Sequence, residues 1–331
     1  MPFKDIIVSS RVRLARNVEG LPFPTSDIGG IASYKRVLEG ATAAAGFEYT
    51  LANMGELPDI DKEALVERHL ISKLLCEKGS AGAVLLSKDR SVSVMINEED
   101  HIRAQCIKPG NELYSCYRSI VKYDKELAKH LNIAFDSQFG YLTSCLTNLG
   151  TGMRASVMLF LPALVFCNKT GALINLLKKN GVTVRGIYGE GSRYKGDMFQ
   201  ISNTYTLGVS EEEILSVVDK AVEYCMQEES IARKRLKEER GLLLEDEVYR
   251  AYGVLTNARL LDSDEFMSQI SKLKLGMSLG IINFTQTEKL DEIVLSCQPG
   301  NLCCRVGRRL SDGERDLVRA ETVREALVNL K

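Results

Sequence analysis

The 331-residue sequence predicts an α+β protein: a largely antiparallel sheet flanked by helices, followed by a smaller, mainly helical domain. Three observations carry this. Strand signals follow one another closely, with no helix between every pair, which favours an antiparallel sheet over a doubly wound one. Residues 83–97 read as a hairpin, in which Ala83–Leu86 leads through the polar turn Ser87-Lys88-Asp89-Arg90 into a segment where Val92, Val94 and Ile96 alternate with Ser91, Ser93, Met95 and Asn97. From Ser210 onward the strand signals stop and helical spacing takes over.

Taken in order, further strands are expected at 5–15, 139–144, 182–188 and 199–207, and helices at 61–77, 112–131, 153–168 and 170–179. Ser210 and Glu213 form a capping-box pattern, after which Ile214, Val217, Val218, Ala221, Val222 and Cys225 keep a helical period. The densely charged run 226–240 extends that helix and reads as a solvated face bridging two parts of the chain. Residues 241–331 look mainly helical, and the last helix, 311–330, opens with the capping pair Ser311 and Glu314. The boundary between the parts is placed near 232.

Composition removes several function classes. Lys plus Arg is 43 and Asp plus Glu is 44, giving a net charge of −1. Neither nucleic acid nor an anionic membrane is an expected partner on that balance. No apolar run reaches the ~18–20 residues of a membrane helix, and the longest, 158–167, contains Pro162. The N-terminus lacks a signal-peptide apolar stretch. The nine cysteines show no CxxC spacing, and Cys303 and Cys304 are adjacent, so free thiols in a reducing cytoplasm are expected. Three scattered histidines, His69, His101 and His130, do not suggest a metal centre, and the GxxxxGK[ST], GxSxG and HExxH patterns are missing.

Four segments carry candidate chemistry. In Ser9-Ser10-Arg11-Val12-Arg13, strand alternation puts Arg11 and Arg13 on one side; two adjacent guanidinium forks suit an anion between them. In Asn97-Glu98-Glu99-Asp100-His101-Ile102-Arg103, an acid facing a cleft holds a cation or acts as a base. Thr147-Asn148-Leu149-Gly150-Thr151-Gly152-Met153-Arg154 precedes an expected helix, whose N-terminus with Arg154 makes a phosphate seat. In Arg185-Gly186-Ile187-Tyr188-Gly189-Glu190-Gly191, a strand runs into a glycine loop with a carboxylate at its centre. Taken singly, these are also what a solvated strand face, a polar turn, a glycine-rich helix start and a hairpin tip look like. Jointly they give five arginines and two carboxylates, each beside a strand end or glycine loop, a set able to neutralise a triphosphate without a P-loop.

These four segments, SSRVRLARN, NEEDHIR, Cys145 with TNLGTGMRAS, and RGIYGEGS, resemble the motifs of phosphagen kinases, the creatine and arginine kinase family, over about residues 5–230. GYLTSC, RASVMLFLPAL, FQISN and LEDEVYRAYGVL extend the resemblance to its bacterial protein-arginine kinase branch and to nearly the whole chain. The resemblance implies a catalytic domain at 1–232 and a helical domain at 233–331 serving phosphoarginine binding and dimerisation. It implies ATP contacts at Ser9, Ser10, Arg11, Val12, Arg13, His69, Arg103, Arg154, Ala155, Ser156, Val157, Met158, Arg185, Gly186, Ile187, Tyr188, Gly189 and Glu190. Glu99 is then the base that pairs with the acceptor guanidinium, Glu190 the second carboxylate, and Cys145 the reactive cysteine beside it. Leu146 departs from the family, which usually has proline there, and can alter the loop carrying Cys145.

Arg315-Asp316-Leu317-Val318-Arg319-Ala320 matches the RDxxRA motif of that branch, so Arg315, Asp316, Arg319 and Ala320 are the implied phosphoarginine contacts; by spacing alone two arginines four apart are more often a simple surface pair. Phosphagen kinases carry a helical domain before SSRVR that encloses a free guanidine, and only eight residues precede Ser9 here, so a protein-borne arginine is the expected acceptor. The expected function is transfer of the γ-phosphoryl of Mg-ATP to protein arginines in a cytoplasmic stress response, with Mg2+ held by phosphate and water. A free-arginine kinase and a non-catalytic phosphoarginine-binding adaptor are the alternatives. The resemblance further implies a homodimer, a zinc-finger activator of the McsA type, a CtsR-type heat-shock repressor as target, and delivery to a ClpC–ClpP protease.

Overall fold

In the computed structural model, which describes residues 4–24, 31–186, 195–284 and 289–328, the alternation of polar and apolar residues in the first strand sets the architecture. That strand, β1 (Ile7–Arg16), buries Val12 and Leu14 on one face and presents Arg11 and Arg13 on the other. It lies inside an eight-stranded sheet completed by β2 (Tyr49–Asn53), β3 (Ala83–Ser87), β4 (Val92–Ile96), β5 (Ile102–Pro109), β8 (Met153–Phe160), β9 (Val182–Gly186) and β10 (Met198–Asn203). The order is β2-β3-β4-β5-β1-β8-β10-β9, and every neighbouring pair is antiparallel. A small ribbon, β6 (Phe135–Asp136) with β7 (Gly140–Tyr141), stands apart from it.

The helices are α1 (Ile31–Ala45), α2 (Asp59–Glu67), α3 (Lys73–Glu77), α4 (Leu113–His130), α5 (Pro162–Phe166), α6 (Thr170–Lys179), α7 (Glu211–Asn257), α8 (Ser263–Ser278), α9 (Lys289–Ser296), α10 (Pro299–Val306) and α11 (Asp312–Val328). α1, α4 and α7 cover the apolar face of the sheet and close the main core around Val12, Leu14, Ala104, Ala155, Val157 and Ile201. A second core joins the end of α7 to α8, α9 and α11 through Leu255, Phe266, Ile270, Leu290 and Val323. The capping box at Ser210 and Glu213 starts α7 as expected.

The two parts of the chain are tied directly. α10 packs on α2, and the Glu67 carboxylate accepts the first N–H groups of α10, from Gly300 at 2.7 Å and Asn301 at 2.8 Å. Gly300 is required at this crossing, because a Cβ there would stand 2.9 Å from the Glu63 backbone.

Several expectations need correction. Residues 153–160 form a strand, not the start of a helix. The run Ala155-Ser156-Val157-Met158-Leu159-Phe160 is apolar almost throughout because it pairs on both sides and is covered on one, which hides the alternation. The helix expected over 61–77 is two: α2 closes in a Schellman turn, with His69 N–H on Val66 O at 2.9 Å, Leu70 N–H on Leu65 O at 2.9 Å, and His69 left-handed at φ 58°. The strand expected over 139–144 is only β7. α1, β2 and β5 gave no sequence expectation. The charged run 226–240 is a solvated face on one side only: Lys234, Arg235 and residues 237–240 are exposed, but Glu229, Ala232, Arg233 and Leu236 form a buried stripe.

Candidate active site

Antiparallel register collects the polar side chains of five strands on one face. Arg13 stands opposite Gln105 of β5 and Arg154 of β8; Arg11 stands opposite Ser156; Ala15 stands opposite Arg103; and Gln200 of β10 stands opposite Arg185 of β9. Arg11, Arg13, Arg103, Arg154 and Arg185 therefore line one cavity of about 270 Å³, together with Glu99, Cys145, Thr147, Asn148, Ser156 and Gln200. The arginine set, Glu99 and Cys145, found in separate sequence motifs, meet here.

Such crowding of like charge is unfavourable without an anion. Burial first, then the Arg13 and Arg154 charges, lowers the pKa of Arg11 to about 9, so it is still a cation at neutral pH. Burial also lowers the pKa of Arg13, against Glu98, Glu99 and Asp100, which raise it. Arg11 donates to Gln105, and Arg154 donates to Ser202 Oγ at 2.9 Å. The Nε–H groups of Arg11 and Arg103 are buried and meet no acceptor among the described residues. Buried guanidinium donors left over beside the cavity fit an oxyanion such as a nucleotide phosphate.

The three consecutive acids divide their work. Asn97 turns the chain out of β4 with φ 62°, closed by its N–H on His101 O at 2.8 Å. Glu98 then points inward, fully buried, and binds Arg103. Asp100, also buried, accepts from Asn17 Nδ2 at 2.6 Å and from the Ser144 N–H at 2.7 Å. Only Glu99 faces the cavity. Desolvation raises its pKa, with Asp100 and Glu98 adding to the effect and Arg13 opposing it.

Cys145 reaches the cavity from a short 3₁₀ turn, its Sγ 3.0 Å from Thr147 Oγ1. Its backbone is extended, φ −105° and ψ 125°, the conformation a following proline would also demand. The loop beyond it is fastened by Thr206, whose Oγ1 donates to Thr147 O at 3.0 Å and Leu149 O at 2.7 Å. Gly150, at φ 104°, passes so close to that strand end that a Cβ would lie 2.2 Å from Thr206 O. Because β8 follows directly, the helix N-terminus expected as a phosphate seat at 147–156 does not exist, and Arg154 enters the cavity from a strand.

The other candidates fall in distinct places. His69 meets solvent, yet enough protein surrounds it that desolvation, and next Arg11, lowers its pKa to about 4. Its carbonyl accepts from Gln105 Nε2 at 2.6 Å, so Gln105 links the α2–α3 turn to Arg11. Ser9 and Met158 pair across β1 and β8. Val12, Ala155 and Val157 point into the core, and Ser10 is buried on Gly110 O at 2.8 Å. Gly186 ends β9, while Ile187, Tyr188, Gly189 and Glu190 lie outside the described residues. Sequence reasoning missed Glu98, Gln105 and Gln200; the strand period that links Gln105 to Arg103 was the available signal.

Arg315, Asp316, Arg319 and Ala320 do not line this cavity; they lie on α11 within the helical part. They are not a surface pair. Arg319 is 1 % exposed and donates to Cys297 O at 3.0 Å, Leu261 O at 2.7 Å and Asp316 Oδ1 at 2.8 Å. Arg315 is partly exposed and holds Leu310 O at 2.9 Å and Asp312. Ala320 is buried in the second core.

Comparison with known proteins agrees with this geometry. The ATP:guanido phosphotransferase C-terminal catalytic domain matches residues 33–232, and the protein-arginine kinase McsB C-terminal domain matches 242–331. The protein-arginine kinase of Geobacillus thermodenitrificans is 43% identical over 331 residues, spanning 98% of this chain and 91% of its own. The chain belongs to the protein-arginine kinase family. A second member, from Moorella thermoacetica, is 43% identical over 333 residues, 98% of this chain and 95% of its own. The fold is that of guanidino kinases. A lombricine kinase crystal structure superposes with a TM-score of 0.60 at 23% identity, over 69% of this chain and 67% of that one. The duplicated taurocyamine kinase of Schistosoma mansoni gives 0.63 at 26% identity, over 75% of this chain and 37% of that one. This protein-arginine kinase family member is therefore a phosphotransferase built on an antiparallel sheet with a helical C-terminal region.

Proposed function

We propose that the protein transfers the γ-phosphoryl group of Mg-ATP to the guanidinium of arginines displayed on other proteins. The observation that carries it is the single cavity where Arg11, Arg13, Arg103, Arg154 and Arg185 meet Glu99 and Cys145. On this reading Arg11, Arg13, Arg154 and Arg185 hold the phosphates, with Arg103 set by Glu98 beside them. Glu99 orients the acceptor guanidinium and takes its proton as a guanidino nitrogen bonds to the γ-phosphorus and the bond to the β–γ bridging oxygen breaks, releasing ADP. A raised carboxylate pKa makes Glu99 a stronger base, and the arginines offset charge spread over the transferring group. Glu190 is the second carboxylate, and the Cys145 sulfur helps align the cation. Magnesium supplies further charge neutralisation on the phosphates, bound by them and by water; among the described residues no group of three or more acids, histidines or cysteines is placed to hold an ion.

The match to the McsB C-terminal domain supports a second site on α11, where the partly exposed Arg315 grips a phosphoarginine, Asp316 meets its guanidino nitrogens, and the buried Arg319 holds Asp316 in place. The bounds of the two matched domains, 33–232 and 242–331, are in keeping with a division near 232; we further propose a homodimer, a McsA-type activator, CtsR-type targets and handover to ClpC–ClpP in a cytoplasmic stress response. Among the described residues no helix is long and apolar enough to cross a membrane. The test is incubation with Mg-ATP and either casein or free arginine. Acid-labile, base-tolerant phosphate on casein is expected; phosphorylation of free arginine alone would turn the reading into a phosphagen kinase, and no transfer at all into an adaptor.

A further inference from the structure

Between the cavity-lining residues Cys145 and Thr147 stands Leu146, 81% exposed. A single exposed leucine is ordinary. This one is not isolated. Its turn is tied through Thr206 to the 204–208 segment, whose Tyr205 and Leu207 are exposed, and Thr151 N–H adds a bond to Thr206 O at 2.9 Å. The same loop is tied on its other side to the β6–β7 ribbon, by Tyr141 N–H on Gly150 O at 2.8 Å, and that ribbon exposes Phe135 and Phe139. Three segments held together by hydrogen bonds, one of them the turn that brings Cys145 and Thr147 to the cavity, thus carry five exposed large apolar side chains, whereas the cavity's own lining is charged and polar.

We propose that this rim, with Leu146 at its edge, is the docking surface for the polypeptide on either side of the target arginine, and that it selects extended segments with apolar residues next to that arginine. The inference rests on the protein-arginine kinase reading and deepens it. An arginine side chain spans roughly 7 Å, about two residues of extended chain. With its guanidinium at Glu99, its backbone must lie across the mouth, and the neighbouring side chains must meet whatever surrounds Cys145. The cavity supplies the charge for the arginine, whereas the rim's one carboxylate, Asp136, is engaged by the N–H groups of Gln138 and Phe139 in its own turn, so apolar neighbours gain most by covering the rim. Such neighbours are accessible in unfolded segments and hidden in folded ones.

The experiment uses the full chain with Mg-ATP and two unstructured peptides of equal length, each with one arginine, flanked in one by leucine and phenylalanine and in the other by glycine and serine. Free arginine is the third acceptor. The unaltered protein is expected to use the apolar-flanked peptide with kcat/KM about 10-fold higher, carried mainly by KM, the effect of covering one large apolar side chain. In Leu146→Ser, and in Leu146→Ser with Phe139→Ser, the ratio between the peptides is expected to fall to within about two-fold. Equal use of the two peptides by the unaltered protein, or a preference that survives both variants, overturns the rim and leaves the kinase reading standing. Transfer to free arginine with none to either peptide overturns both. Loss of a dimer in Leu146→Ser, measured by sedimentation, also overturns the proposal, by making the rim a contact between two copies of the chain.

Discussion

Asp100 and Ser144 are joined by a hydrogen bond of 2.7 Å, from the Ser144 N–H to the Asp100 carboxylate. One residue before the first is Glu99, and one residue after the second is Cys145. This contact ties together the two segments that bring Glu99 and Cys145 to the cavity, although neither of its members lines it. Asp100→Ala would leave the Ser144 N–H and the Asn17 amide without their shared acceptor, costing about 3 kcal/mol for two buried donors. Chemical denaturation is expected to show that loss. Steady-state kinetics are expected to show kcat falling by more than the KM for ATP rises, since the arginine strands stay intact.

Glu99→Gln tests the base. It should reduce phosphoryl transfer by at least about 100-fold while ATP binding, followed by calorimetry, changes little. Transfer near the parent rate would remove Glu99 from the mechanism. The pH behaviour has a defined sign. The raised Glu99 pKa places the acid limb of kcat above the ordinary carboxylate range. In stability, a folded state that holds this proton more tightly loses stability as pH rises from the ordinary carboxylate range through the raised pKa, and does not regain it above. Glu99→Gln is therefore expected to unfold at a higher temperature than the parent at neutral pH and at nearly the same temperature in acid.

Glu229 lies fully buried, accepting from Ala163 N–H and Leu164 N–H at 3.0 Å each and from Arg233 Nε at 2.8 Å, while Arg233 reaches Asp5 at 2.8 Å. Removing the carboxylate leaves a buried guanidinium half-compensated and the first turn of α5 uncapped. Glu229→Ala is expected to cost about 3–5 kcal/mol in denaturant unfolding. A loss below 1 kcal/mol would mean that water or Asp5 takes over.

On α11 the two arginines should separate. Arg319→Ala breaks bonds to Cys297 O and Leu261 O and is expected to destabilise the protein by about 3 kcal/mol, so its effect on binding is confounded. Arg315→Ala, at a partly exposed position, is expected to weaken phosphoarginine binding at least tenfold with little change in unfolding. Equal affinity in this variant would end the case for a phosphoarginine pocket there.

How far the site could be read beforehand depends on local periodicity. Arg11 and Arg13 were legible because two residues separate side chains on one face of a strand. Arg154 was placed correctly among the basic groups for the wrong reason: its strand has no visible alternation, since its apolar residues reach both faces. The division of labour among Glu98, Glu99 and Asp100 depends on a left-handed Asn97 and on partners 17, 103 and 144, none of which spacing reveals. β5 was missed because Arg103 lines the cavity and Gln105 binds Arg11 beside it, and a strand with a polar face turned to a cavity looks like a loop. The burial of Glu229 and Arg233 was hidden because a charged residue is normally a sign of solvent, and only tertiary partners reverse that.

The 47-residue helix α7 runs unbroken in hydrogen bonding past residue 232, with its only irregular backbone at Arg240. A fragment ending at 232 would retain Asp5 and Glu229 but lose Arg233, stranding two carboxylates, and would strip Leu236 and Leu244 from beneath the sheet. Expression of the sheet-bearing part by itself therefore calls for a cut beyond Val248, because a cut at the Arg240 irregularity would still remove Leu244 and Val248 from the main core.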